Sequence, residues 1–331
     1  MDPIAFRGAA RRRCRPWVRA ALALLFSGTA AFAQDYPAKP VRVINPYPAG
    51  GPADILGRLL NEKLQASLGQ PFLTENRAGA AGNVGTTAVA RSVSDGYTLV
   101  FNTDFTLGTN PVLYPNPGFD PLKDLAPIAL VARIKSVLVV HPSTGVNTVQ
   151  ELIALARQKQ LSFASGASGS PGHLAGELFK QVTGVDMLHV PYKGNAPAVI
   201  ATVSGEVSMF IAAMSTMLPH IKAGKVKALL VANVNRDATL PDVPTAAEAG
   251  VPGIEMDSWF ALSAPARTPR EIIDRLHREV ASALRMPDVR ERMLAVGLEP
   301  AGQPGEEVTR LIERDLKKWG AVIKRAGIKV D

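Results

Sequence analysis

Short apolar runs alternate with amphipathic helical patterns along this chain, joined by turns rich in glycine, proline and serine, and this limits the fold more than any other feature. "VRVIN" (Val41 to Asn45) reads as a buried strand. After "PYPAGGPAD" the residues Ile55, Leu56, Leu59, Leu60, Leu64 and Leu68 recur at helical spacing until Gly69 closes the pattern. "PFLTEN", "TLVFN" (from Thr98), "VLVVH" (from Val137), "LSFAS" (from Leu161) and "VKALLVAN" (from Val226) are further strand candidates, most of them followed by a turn and a helical pattern. Such alternation predicts an α/β fold with a mostly parallel sheet covered on both faces. The tail is mostly helical, beginning at "TPREIIDRLHREVASAL" with Thr268 as the expected N-cap and Pro269 at N1.

The N-terminus is of another kind. Arg7, Arg11, Arg12, Arg13, Arg15 and Arg19 precede an apolar stretch from Ala20 that ends in Ala31-Phe32-Ala33, a small-x-small site. This is the layout of a secretory signal peptide over residues 1–33, cleaved after Ala33, and the stretch is too short for a membrane span. Its removal takes six arginines and Asp2, lowering the formal net charge from +8 to about +3. The basic balance belongs largely to the leader, which weakens any nucleic-acid reading. The single cysteine, Cys14, leaves with it, so the mature chain has no thiol, disulfide or cysteine metal ligand. The product is expected to be exported and soluble, and periplasmic.

Four turns have the same form: a strand ends, small residues follow, and a helix begins. They are "PYPAGGPAD" from Pro46, "LVFNTDFTLGTN" around Asn102, Thr103 and Asp104, "FASGASGSPGH" with Ser170 as expected N-cap and Pro171 at N1, and "HVPYKGNAP" through Tyr192, Lys193 and Gly194. Open α/β sheets bind ligands at this end of their strands. The first N–H groups of a helix lack internal partners and carry about half a positive charge, so these turns suit an anion. Hydrogen bonds to a charged group contribute roughly 1.5–3 kcal/mol each, enough for backbone amides alone to hold a carboxylate.

Single residues are read against plainer roles. Lys193 faces either a ligand or solvent. Asp54 fits a carboxylate complementing the helix dipole better than a general base. His173 either donates to a ligand or caps its helix. His141, His189, His220 and His277 are scattered without metal-ligand spacing. "GASGS" lacks the last glycine of a nucleophile elbow, "GAAGNVG" has the wrong spacing for a dinucleotide fingerprint, and neither a phosphate loop nor H-E-x-x-H is present. No cofactor, metal or catalytic residue is nominated, although a hydrolase or isomerase with a site assembled in space stays open.

The ordered series "YPAKPVRVINPYPAGGPADILGRLL", "TENRAGAAGNVGTTAVARSVSDGYTLVF", "HLAGELFKQVTGVDMLHVPYKGNAPAV" and "LPDVPTAAEAGVPG" resembles the Bug family, the periplasmic solute receptors of tripartite tricarboxylate transporters. The resemblance runs from about Tyr36 to the C-terminus. It implies a two-lobed type II periplasmic binding protein fold, each lobe a mostly parallel sheet flanked by helices, with a ligand cleft between them. Residues 34–135 plus 259–331 would form lobe 1 and residues 136–258 lobe 2, with hinge strands near residues 137–140 and 258–262. It implies that a ligand carboxylate is gripped between Tyr47, Pro48, Ala49, Gly50 and Gly51 of one loop and Ser165, Gly166, Ser168, Gly169 and Ser170 of the other. Membrane permease subunits are the implied partners, a membrane sensor is the alternative, and the receptor is expected to be a monomer. Where relatives have "MFD", this chain has "MFIAA", which puts Ala212 at the aspartate position. The expected ligand therefore lacks an amine and has an apolar or aromatic body, although Asp104 would suit a hydroxyl or an amine if it faces the cleft.

Overall fold

The protein is described by a computed structural model covering residues 36–330. The expected signal peptide and cleavage site lie outside the described residues. The described chain opens with β1 (Val41–Asn45), α1 (Pro52–Leu68), β2 (Phe72–Asn76), α2 (Asn83–Ala90) and β3 (Thr98–Thr103). A π-helical turn, Phe105–Thr109, leads into the short α3 (Asn110–Leu113) and the long β4 (Leu125–Val140). Next come α4 (Val149–Gln158), β5 (Leu161–Ser165), α5 (Pro171–Thr183), β6 (Met187–Pro191), α6 (Asn195–Ser204), β7 (Met209–Ala213), α7 (Met214–Lys222) and β8 (Lys227–Val231). The chain ends with β9 (Asp257–Pro265), α8 (Arg270–Arg285), α9 (Pro287–Ala295), β10 (Glu299–Pro300) and α10 (Gly305–Ala326).

The strands join in the order β2-β1-β3-β9-β4-β7-β5-β6, with β8 and β10 also on β4. Pairings among β1, β2 and β3, and among β5, β6 and β7, are parallel, as the strand–helix alternation predicts. Every antiparallel pairing involves β4 or β9. These two strands join the parallel sets: residues 125–135 of β4 run against β9, whereas Ser136 to Val140 run against β7 and β8. The sheet therefore has two halves, and β4 belongs to both.

Only the last part of β4 is legible as an apolar run. Pro127, Arg133 and Lys135 interrupt the pattern upstream, yet the strand continues because Ile128 to Ala132 are wholly buried. One core gathers Ile44, Val100, Leu107, Leu130, Trp259 and Ile312 in the first half. The second half has a core on each face, one around Phe163, Leu174, Phe179 and Ile211, the other around Val137, Ala164, Phe210 and Met217. Helix α10 has 22 residues, about 33 Å at 1.5 Å per residue. Its far end places Trp319, Val322 and Ile323 in the second-half core, so it serves both halves.

The expected caps are partly displaced. Gly69 closes α1 in the left-handed region, its N–H on the Gln65 carbonyl. Thr268 is not the N-cap of α8: its hydroxyl turns back to the Pro265 carbonyl at 2.8 Å, and Pro269 takes the cap position. Ser170 does occupy the cap position of α5, but its hydroxyl accepts from Ala167 N instead of from the helix.

Candidate functional site

The β1–α1 turn is held from behind. Asp54, at the third position of α1 and 4% exposed, accepts at one oxygen from the amides of Asn45 (3.2 Å) and Asn76 (2.9 Å). Its other oxygen accepts from the Gly50 N–H and Arg58 Nε, both at 3.0 Å. Burial opposes the charge, but these bonds outweigh it and hold the carboxyl well below its usual range. Asn45 and Asn76 are register partners at the ends of β1 and β2, so one carboxylate ties two strand ends, the turn and the helix. Gly50 takes φ +83° here, which a side chain would resist. Tyr47 also faces inward. Its hydroxyl lies 2.9 Å from Thr103 Oγ1 and 2.7 Å from Thr106 Oγ1 and accepts from Thr103 N at 3.0 Å; burial pushes its pKa up. The phenol fixes the first turn to the β3 turn. Pro48, Ala49 and Gly50 are exposed at the tip, and Gly51 is the N-cap residue.

The β5–α5 loop closes on itself. Ala167 N donates to Ser170 Oγ (3.3 Å), Ser170 N to the Ala167 carbonyl (3.2 Å) and Gly169 N to His173 Nδ1 (2.9 Å). Ser165 Oγ is 2.6 Å from His189 Nε2 and 3.0 Å from the Ala167 carbonyl. Gly166 must be glycine, because a Cβ would stand 2.5 Å from Asn195 Oδ1 while its carbonyl accepts from Gly194 N. Ser168 is exposed at the loop tip. Lys193 is exposed too, and Tyr192 donates to Glu206 at 2.8 Å, with its pKa raised to about 12 chiefly by desolvation.

Between the sheet halves lies a cavity of about 200 Å³, smaller than the roughly 300–1,000 Å³ of drug-sized sites. Of the residues picked out from sequence, Thr103, Asp104 and Ala212 line it. The β1–α1 turn, residues 165–170, His173 and residues 192–194 stand outside its wall. In their place the adjoining helix starts reach it, through Pro171 and Gly172 of α5, Asn195 of α6 and Thr216 of α7. Phe105, Phe210 and Phe260 make an apolar side, with Ser136 and Ser258 adding hydroxyls. Sequence reading missed these. Pro171, Gly172 and Asn195 lie within two residues of the predicted loops, so one more turn of each helix would have reached them. Phe210 and Phe260 lie within apolar strands and Phe105 opens the π-helical turn, and none carries a signal of its own. Asn102 is fully buried behind the wall, its carbonyl accepting from Thr86 Oγ1 and its amide nitrogen without a protein partner.

The Trp259 and Phe105 backbone and the Ser258 hydroxyl favour the charged form of Asp104, but they are outweighed. Desolvation, and next the nearby Asp315, push its pKa up to about 7. It also borders a second groove of about 850 Å³ along α10. There Arg133 pairs with Asp257 and Glu307, Arg314 with Asp257 and Asp315, and Lys135 with Asp237 and Glu299. This network ties β4, β9 and α10 together where the sheet changes partners. Among the described residues, no helix is long and apolar enough to cross a membrane.

Residues 56–328 match the model of the tripartite tricarboxylate transporter family receptor. Protein BugT of Bordetella pertussis is 38% identical over 301 residues, covering 90% of this chain and 92% of that one. Two similar structures come from Rhodopseudomonas palustris. Rpa4515 with adipate is 38% identical, with a TM-score of 0.75 over 89% of this chain and 99% of that one. MatC with bound malate is 32% identical, with a TM-score of 0.72 over 87% of this chain and all of that one. The chain is a member of the tripartite tricarboxylate transporter receptor family.

Proposed function

We propose that this receptor captures a small, amine-free carboxylate in the periplasm and hands it to permease subunits of a tripartite tricarboxylate transporter. The observation that carries the reading is the 200 Å³ cavity, where the starts of α5, α6 and α7 face the β3 turn across an apolar side. Helix starts supply N–H donors and a positive dipole end for a carboxylate, and the phenylalanines suit an apolar or aromatic body. With Ala212 where relatives have aspartate, no fixed negative charge stands there for an ammonium. Asp104, with its pKa pushed up to about 7, can meet a carboxylate or hydroxyl oxygen as a protonated donor. The bound adipate and malate of the two similar proteins support the ligand class.

The loops around residues 47–51 and 165–170 act as the two jaws in this reading. Outside the cavity wall in this structure, they would swing onto the ligand on closure, while their inner hydrogen bonds hold their shape. Lobe 1 comprises residues 34–135 plus 259–331 and lobe 2 residues 136–258, a division supported by the change of partners on β4 at Ser136. Closure needs no covalent step: ligand bridges both lobes only in the closed form, and that differential affinity shifts the population. Titration calorimetry with adipate, malate, benzoate, aspartate and glutamate tests the ligand class. Saturable binding of an amine-free acid, recovered chemically unchanged, is expected; tighter binding of aspartate or glutamate would refute the amine-free assignment.

A further inference from the structure

Two histidines that sequence reading left without a joint role lie face to face beneath the second jaw. The rings of His173 and His189 are 3.7 Å apart and 4° from parallel, with Phe163 stacked on His189 at 5.0 Å. They come from different elements, α5 and β6, and each reaches a different end of the same loop. His189 Nε2 meets Ser165 Oγ where the loop begins, and His173 Nδ1 meets the Gly169 N–H near its end.

The protons in these bonds can be followed. Gly169 N–H is a donor, so His173 Nδ1 must be bare and its proton sits on Nε2. Ser165 has one hydroxyl proton for two neighbours: if it goes to the Ala167 carbonyl, His189 Nε2 is the donor to Ser165 Oγ, and if it goes to His189, Nε2 is the acceptor. His173 is in either case the neutral Nε2–H tautomer. A proton added at His173 Nδ1 would point at the Gly169 N–H, donor against donor. A proton added to His189 would set a charge against a ring stacked on it.

From this we infer that the stacked His173–His189 pair positions the 165–170 jaw and holds its ligand-competent shape only while both imidazoles are uncharged. The inference rests on the carboxylate reading of that jaw. The ionisable groups facing the pair are Glu177 and Lys180, both on α5; Lys180 pairs with Glu177 at 3.0 Å and with Asp186 at 3.5 Å. Burial, then Lys180, lowers the His173 pKa to about 4. Burial and the His173 ring lower that of His189 to about 4, against a smaller opposing effect of Glu177. The rings therefore stay neutral over the working range and charge only in acid.

The test is titration calorimetry with adipate from pH 7.5 to 4.0, on the wild type, the double variant His173→Asn with His189→Gln, and His173→Phe. The double variant keeps an acceptor for Gly169 and a donor for Ser165 but cannot titrate. Each protein is normalised to its own affinity at pH 7.5, and ionisation of adipate cancels in the comparison. At pH 4.0 each ring is about half charged, so the wild type is expected to lose about 2- to 4-fold more affinity across the range than the double variant. His173→Phe is expected to bind at least 10-fold more weakly at pH 7.5. Parallel pH profiles would overturn the inference, as would a folded His173→Phe protein with unchanged affinity. Should adipate fail to bind the wild type at all, the ligand class is at fault, and nitrogen NMR of the ligand-free protein tests the pair directly. His173 is expected as the Nε2–H tautomer, with the Gly169 amide shift following its ring below pH 5. A Gly169 amide indifferent to that titration would sink the inference.

Discussion

Replacing Asp54 by asparagine removes one oxygen and one charge and leaves the size unchanged. Each carboxylate oxygen accepts two hydrogen bonds, so whichever way the new amide turns, its NH₂ opposes two donors: the Asn45 and Asn76 amides, or Gly50 N–H and Arg58. Two charge-assisted bonds at about 1.5–3 kcal/mol each set an upper bound near 6 kcal/mol. Relief of carboxylate burial and rotation of the asparagine amides return part of this. Arg58 is also half exposed, so its pair with Asp54 is worth at most about 1 kcal/mol. The expected net loss is about 2–4 kcal/mol. The unfolding entropy for a chain of this size is about 0.6 kcal/mol/K, so the melting temperature should fall by about 3–6 °C.

The pH dependence has a definite sign. The native pKa of Asp54 is depressed, so its contribution to stability is present above the unfolded value near 4 and is lost as pH falls towards the folded value. The gap between wild type and variant should be full at pH 7 and shrink below pH 4. Thermal melts followed by circular dichroism at pH 7, 5 and 3 measure both quantities, with adipate titration at pH 7 reporting whether the loosened turn still binds. A shift below 1 °C at pH 7, or a gap that does not change with pH, would refute the assignment of Asp54 as the fastener of the first jaw.

Ala212→Asp should supply an ammonium partner at this position, raising the affinity for aspartate relative to succinate by about 10–100-fold in calorimetry, the worth of one charge-assisted bond. Gly305→Ala would put a methyl group 1.9 Å from the Pro127 carbonyl oxygen, backbone against backbone; a loss of about 3 kcal/mol is expected in urea unfolding. Thr148→Ala removes the acceptor for Glu151 N at 3.1 Å, the N-cap bond of α4, and should cost about 1 kcal/mol in the same assay, with ligand affinity unchanged. In acid, the depressed His173 and His189 pKa values favour proton uptake by the unfolded chain between pH 6.5 and about 4, so wild-type stability should fall as pH drops through that window, and the slope should be shallower in the non-titrating double variant.

Backbone chemistry made the ligand turns legible. Pro171 at N1, the glycine pair at residues 50 and 51 and the glycine at residue 194 mark where a helix begins, and residues 50 and 194 take a positive φ that a side chain would resist. Side-chain direction was not legible. Tyr47 sits inside a predicted jaw, yet its hydroxyl turns inward, because three partners from β3 and the following turn converge on it across 56 to 59 residues of sequence. His189 looked isolated for the same reason: its stacking partner and its hydrogen-bond partner come from α5 and β5, and no local pattern announces a ring-to-ring contact between elements. The wall of the cavity follows suit. Its helix starts at Pro171, Gly172 and Asn195 could be placed to within two residues of the predicted loops, whereas Phe105, Phe210 and Phe260 become one apolar wall only once the turn after β3 meets β7 and β9. In this receptor the turns proposed to bind an anion are written locally, and what shapes them is written in pairs far apart in sequence. A substitution that changes selectivity without loosening the jaws is therefore expected on those strands, at Ala212 or the three phenylalanines, and not in the glycine turns.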